Sequence, residues 1–189
     1  VLKVSPAGVA TTLAGNGTSG FGGDGLPAVN ALVGAGGAIA LGSAGNIYIA
    51  DDSRIREITV DGKIKTVAGT GIAGFGFDNV PPLLTQLYIP SGLAFDSSDN
   101  LYIADTFSYR IRKLTPNGTI TTIAGNGNVG LPVNGPPTAT RMGVPHAVAV
   151  DSAGNVFIGD VSFFEILKVA ADGSTLTQLA GTKTFGYSD

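Results

Sequence analysis

Asp96-Ser-Ser-Asp-Asn-Leu-Tyr-Ile-Ala-Asp105, with Arg110-Ile-Arg-Lys113 and Gly118-Thr-Ile-Thr-Thr-Ile-Ala-Gly125 behind it, is one of three renderings of a single pattern in this 189-residue chain. Gly37 to Gly71, Ser91 to Gly127 and His146 to Thr182 align with one another. Each opens with an apolar tetrad (Ala38 to Leu41, Leu93 to Asp96, Val148 to Asp151) and a polar turn ending in Asn46, Asn100 or Asn155. An apolar run closed by an acid follows: Ile47 to Asp51, Leu101 to Asp105, Val156 to Asp160. Then come a run around Ile55, Ile111 or Ile166, a second turn (Asp61-Gly62, Asn117-Gly118, Asp172-Gly173) and a last run ending in Ala-Gly at Gly69, Gly125 and Gly181. The acids stand 54 and 55 residues apart and the closing glycines 56 and 56. A fixed period of this size is the mark of a repeat architecture.

Each unit reads as four short strands. Asp-Gly and Asn-Gly pairs supply the positive φ angles that tight hairpins require. In the second strand Tyr48, Tyr102 and Phe157 point to one face while Ile47/Ile49, Leu101/Ile103 and Val156/Ile158 point to the other, and both faces are apolar. Such a sheet is covered on both sides. Four-stranded meanders stacked at this spacing predict an all-β chain, a β-propeller of antiparallel blades. Composition agrees: 29 glycines and 10 prolines disfavour long helices, and 13% charged residues against about a quarter in ordinary domains leaves an apolar chain.

The quoted strings resemble the NHL repeat, and the linking stretch Gly15-Asn-Gly-Thr-Ser-Gly-Phe-Gly-Gly-Asp-Gly-Leu-Pro-Ala28 resembles its long-repeat bacterial variety. The Asn-His pair of that repeat is replaced by Ser108-Tyr109 and by Phe163-Phe164, and the loop after Asp51 is two residues shorter than its counterparts. The resemblance implies a ring of about six blades, roughly 330 residues at this period. Against it, the expected division is 1–15 as the outer half of a blade, 16–71, 72–127 and 128–182 as blades each with its preceding linker, and 183–189 as the start of another linker. Three and a half blades make an open arc. A longer polypeptide or a second copy of the chain would supply the remaining blades.

The net charge of −3 and the lack of any Lys/Arg run exclude the electrostatic footprint of a nucleic-acid-binding surface. There are no cysteines, hence no disulfide or thiol chemistry. With a single histidine a self-contained multi-histidine metal site or Ser-His triad is not expected, nor is any cofactor. No apolar run approaches the 18 or so residues of a membrane span, so membrane insertion is not expected, and Val1 does not open a signal peptide.

Strand alternation puts the interblade linkers (Asn16 to Gly36, Thr70 to Pro90, Asn126 to Pro145) on the same rim as the loops between second and third strands. The other rim is expected to carry only tight turns. Loops on a rigid scaffold are where binding is commonly placed, which favours the linker-side rim. Its candidate binding residues are Arg54, Phe107, Tyr109, Arg110, Phe163 and Phe164, aromatic and cationic groups suited to contacts with a protein, peptide or glycan. The competing reading is that Tyr109 and Phe164 fill wedges between blades and that Arg110 and Arg112 bridge blades or bind the repeat acids. Asp51, Asp105 and Asp160 recur at one position in every blade, which points to a structural hydrogen bond rather than to catalysis. Asp24, Asp78 and Asn134 in the linkers read as loop caps, and a calcium site would need more oxygen ligands.

His146 stands just before an innermost strand, near the mouth of the central channel. Some NHL-like propellers are lyases that hold a metal with histidines from several blades, so the resemblance adds His146 as a candidate ligand-side residue. The expected function is a non-catalytic recognition or scaffold module in an extracytoplasmic setting. Its alternative is half of a metal-dependent propeller lyase or hydrolase with its site at the channel mouth.

Overall fold

A computed structural model describes residues 1–182; the stretch expected to begin a further linker, 183–189, lies outside the described residues. The first two strands, β1 (Leu2–Val4) and β2 (Ala10–Thr12), pair as an antiparallel ribbon. Three four-stranded antiparallel meanders follow. They are β3 (Gly36–Leu41), β4 (Ile47–Asp51), β5 (Arg54–Ile58) and β6 (Ile64–Ala68); β7 (Gly92–Phe95), β8 (Leu101–Asp105), β9 (Arg110–Leu114) and β10 (Ile120–Ala124); and β11 (Pro145–Val150), β12 (Val156–Asp160), β13 (Glu165–Val169) and β14 (Leu176–Ala180). The innermost strands β3, β7 and β11 lie side by side. The chain is therefore all-β, an open arc of a propeller.

Pairing register corrects one detail of the sequence alignment. Ile39, Leu93 and Val148 sit opposite Ile49, Ile103 and Ile158, so the first tetrad is offset by one residue from the other two. Leu41 thus matches Phe95 and Val150, and Gly42 stands where the other blades have Asp96 and Asp151. Because side chains alternate faces, only this register keeps the apolar residues of β3 on the correct side.

The two apolar faces of each blade build the cores between blades. Leu101 and Ile103 of the second blade pack with Ala50, Ile55 and Ala68 of the first, while Tyr102, Ala104 and Ile111 turn to Val156, Ile158 and Leu167 of the third. A linker residue seals each seam: Leu87 and Met142, both fully buried, join these two clusters.

The linkers also cap sheet edges. The Gly25 N–H donates to the Ile64 carbonyl (2.7 Å) and Ile64 N–H to Leu26 (3.1 Å); Asn79 N–H donates to Ile120 (2.9 Å), and Gly135 exchanges bonds with Leu176 (3.1 and 2.7 Å). The outermost strand of each four-stranded meander is thereby bonded on its outer side, which blunts an edge that would otherwise template association. The closing glycines Gly69, Gly125 and Gly181 hold φ of 91°, 84° and 99°, and a Cβ on Gly125 would stand 2.1 Å from the Tyr109 carbonyl oxygen. Positive φ and backbone contact together explain why glycine ends every blade.

Both ends of the arc leave blade faces open. Ile55 and Ile111 are 0% exposed, whereas their counterpart Ile166 in the third blade is 42% exposed. At the other end Leu41 is 69% exposed.

Candidate functional site

The repeat acids are occupied. Asp51 accepts from Gly34 N–H (2.6 Å), Asp105 from Tyr88 N–H (2.6 Å) and Asp160 from Gly143 N–H (2.6 Å), each clamping the end of the preceding linker to the second strand. The carboxylates are then balanced in two ways, although Asp105 Oδ2 accepts no hydrogen bond. In the first blade Arg56 reaches Asp51 (3.1 Å) and in the second Arg112 lies 3.8 Å from Asp105, both arginines being fully buried. The third blade has Leu167 at that position, and Asp160 instead accepts from Val144, Ser162 and Phe163 N–H groups at 3.1, 3.0 and 3.3 Å. Burial raises the Asp105 carboxyl above its ordinary value and lowers the Arg112 guanidinium below its own. Burial outweighs attraction in this pair, as is common for ion pairs removed from water.

The linker Asx residues are likewise structural. Asp24 bonds Arg56 (2.8 Å) and the Thr66 N–H (3.0 Å), Asp78 bonds Arg112 and Thr122 (2.9 Å each), and Asn134 accepts from Gln178 N–H (3.2 Å).

The residues singled out from sequence are spread over three blades. Arg54 lies 3.6 Å over the Phe21 ring and donates to the Thr70 carbonyl (3.2 Å). Arg110 donates to the Gly76 carbonyl (3.3 Å) with Phe75 at 5.9 Å. Tyr109, left-handed at φ 57°, packs on the core between second and third blades. Phe164 has the same conformation (φ 51°) on the open face of the third blade, beside Gly159, Ile166 and Gly181. Phe163 lies against Gly143, where a Cβ would meet its ring at 2.7 Å. His146 is exposed at the start of β11; its carbonyl accepts from Ser91 Oγ (2.9 Å). Among the described residues no group of three or more His, Cys, Asp or Glu side chains is placed to hold a metal.

Phe107 belongs to something larger. Its ring lies 5.5 Å from Tyr88, which lies 6.3 Å from Phe75 in an edge-on contact, forming an aromatic row on the linker-side rim of the second blade. Phe75 and Phe107 are exposed, and Phe77, nearby in the same linker, is 79% exposed. A cleft of 480 Å³ adjoins them, lined by Gly76, Phe77, Asp78, Arg110, Thr122 and Asn126 among others. Sequence reading missed Phe75, Phe77 and Tyr88: Phe75 repeats Phe21 at the blade period, whereas Phe77 and Tyr88 stand where the first linker has Gly23 and Gly34. A signal was nevertheless present: the residue clamped by the repeat acid is glycine in the first and third blades (Gly34, Gly143) but Tyr88 in the second. The following residue, Ile89, is left-handed at φ 50°, an outlier for a β-branched side chain.

No protein-family model matches the chain, and no curated protein does. Solved structures do match. A protein of unknown function from Bacteroides thetaiotaomicron aligns with TM-score 0.67 at 21% identity, over 92% of this chain and 40% of that one. Virginiamycin B lyase from Staphylococcus aureus aligns with TM-score 0.55 at 16% identity, over 96% of this chain and 49% of the lyase. A chain of the nidogen/laminin complex aligns with TM-score 0.55 at 18% identity, over 77% of this chain and 48% of that one. The chain thus spans less than half the length of each of these proteins. At such identities the likeness speaks to fold alone, and it agrees with the strand order and stacked blades above: this chain is part of a β-propeller.

Proposed function

We propose that the chain is a non-catalytic recognition module of NHL-repeat type that binds a protein or peptide partner, working as part of a larger extracytoplasmic propeller. The observation that carries the reading is the row Phe75–Tyr88–Phe107, with strained Ile89 beside it, present in one blade of three. Exposed aromatic rings next to a cleft holding Arg110 and Asp78 suit an apolar peptide segment with one polar anchor. Strain at an exposed loop is a recurrent feature of sites where geometry serves binding. Fold does not choose here, since similar propellers include both a lyase and a chain of a protein complex.

Panning the folded protein against a random peptide library tests the reading. Enriched peptides carry apolar anchors, and Phe107→Ala and Phe75→Ala each weaken them by about tenfold or more, as expected for truncating an aromatic hot spot, while the melting temperature holds because both rings are exposed. Peptides that bind both variants as well as the parent, or enrichment only on a glycan array, would overturn it.

A further inference from the structure

The rim opposite the linkers holds more than turns. Between the first and second blades it opens into a cavity of 410 Å³, while the cleft at the same level between second and third measures 170 Å³. Three departures of the first blade from its own repeat meet in the larger one. Gly42 stands in place of Asp96 and Asp151, Glu57 in place of Lys113 and Lys168, and Lys65 in place of Thr121 and Thr177.

The consequences follow from hydrogen bonding. In the second blade Asp96 accepts from Asn100 Nδ2 (2.7 Å) and from the Tyr102 hydroxyl (3.2 Å), and in the third Asp151 accepts from Asn155 Nδ2 (2.8 Å). A carboxylate at position 42 would occupy the cavity, since a Cβ there already meets Tyr48 at 3.2 Å and the Phe95 ring at 3.9 Å. Without it, Asn46 Nδ2 turns to Glu57, whose other oxygen pairs with Lys65 at 2.9 Å. The Tyr48 hydroxyl hydrogen-bonds Glu57 beside Asn46; burial first, and the Glu57 charge second, push it up to about 12, so it stays protonated. Asp99 of the second blade reaches across to the backbone N–H and hydroxyl of Ser43.

The cavity is therefore lined by an apolar wall of Phe95, Pro82 and Val67 and by the carboxylates of Glu57 and Asp99, the Lys65 ammonium and the Tyr48 phenol. Tyr48 and Phe95 brace each other edge-on, centroids 4.8 Å apart. We propose that this cavity binds a single neutral sugar residue. A sugar ring has one apolar C–H face, and each hydroxyl of its vicinal pairs can both donate and accept, which matches the Glu57–Lys65 pair. An anion would face Glu57 and Asp99, and a cation would face Lys65. The volume is within the range of about 300–1,000 Å³ for small-ligand pockets, which are mostly apolar with a few placed polar groups.

The test uses isotope-labelled protein titrated with methyl glucoside, methyl galactoside, methyl mannoside and N-acetylglucosamine, with butylamine and acetate as charged controls. At least one sugar gives saturable shifts centred on Ser43, Asn46, Lys65 and Thr115. Gly42→Asp restores the residue of the other two blades and lowers that affinity at least tenfold, and Lys65→Thr, also the residue of the other blades, lowers it several-fold. Phe107→Ala, on the opposite rim, leaves it unchanged, so this proposal and the peptide reading fail separately. The proposal is overturned if no sugar saturates, if butylamine or acetate binds instead, or if folded Gly42→Asp binds as the parent does. Should that variant not fold, unchanged affinity in Lys65→Thr overturns it equally.

Discussion

Ile89 shows what a single residue contributes. Its φ of 50° forces a β-branched side chain into the left-handed region, which costs about 1–2 kcal/mol for an ordinary L-residue. It is 47% exposed, so burial returns little of that cost. Asparagine tolerates this conformation, and Ile89→Asn is expected to raise stability by about 1 kcal/mol in a urea titration while weakening the peptides selected on the aromatic row. A variant less stable than the parent would show that Ile89 is held by packing and not strained. The same residue-level logic separates Tyr109 from Phe164. Both are left-handed and share a place in the repeat, but Tyr109 packs on the core between second and third blades whereas Phe164 is 43% exposed on the outer face of the third.

At the scale of elements, one task is solved twice: holding a buried acid at the junction of linker and second strand. The first two blades use an arginine and the third uses loop amides. Asp105 has the Tyr88 N–H, the Ser108 hydroxyl and a 3.8 Å contact with Arg112, but not the three further loop amides that Asp160 has, so it lacks the third blade's solution. Arg112→Leu, although leucine is native at position 167, is expected to cost about 3–5 kcal/mol in denaturant titrations because it strands a buried charge. A loss below about 1 kcal/mol would refute that. The raised carboxyl also sets a sign. An acid whose folded value exceeds its unfolded value, about 3.9, withdraws stability as pH rises through that interval. Asp24, Asp96 and Asp151, whose carboxyls are lowered, act the opposite way: the stability they add above the unfolded value is lost as pH falls. For Asp24 and Asp96 burial opposes the lowering, and hydrogen bonds from Thr66 and Arg56 and from Asn100 outweigh it; for Asp151 the Asn155 hydrogen bond leads. Asp105→Asn removes this contribution, so above about pH 4 the parent's denaturation midpoint should fall, as pH rises, relative to that of the variant. Parallel profiles would refute the raised carboxyl.

For the whole molecule, the open blade faces dominate. The positions that seal the seams between blades lie bare at the ends: Ile166 at one, Ile39 and Leu41 at the other. These two faces differ in shape, so contact between copies would be head to tail. The isolated chain is expected to self-associate with rising concentration. Ile166→Lys should weaken that by about tenfold or more, since burying such a side chain is worth about 1.5–3 kcal/mol, without lowering the melting temperature. Sedimentation velocity reads both directly, and a strictly monomeric parent at high concentration would rule the contact out.

The blade count, strand order and structural acids were legible in the sequence because strand alternation, turn residues and a fixed period are local properties that recur. Asp51, Asp105 and Asp160 could be read as scaffold for that reason: a requirement repeated in every blade is written in every blade. What stood outside the period needed the tertiary structure. Tyr88 and Phe107 have no aromatic counterparts in the other blades and complete a row with the repeating Phe75 only in the folded chain, and the cavity at Gly42 depends on the pairing register that puts that glycine in the place of Asp96 and Asp151. Sequence alone determined the repeating frame, because its causes are local, and three-dimensional packing decided where the blades stop being equivalent, because those differences act only between neighbours brought together by the fold.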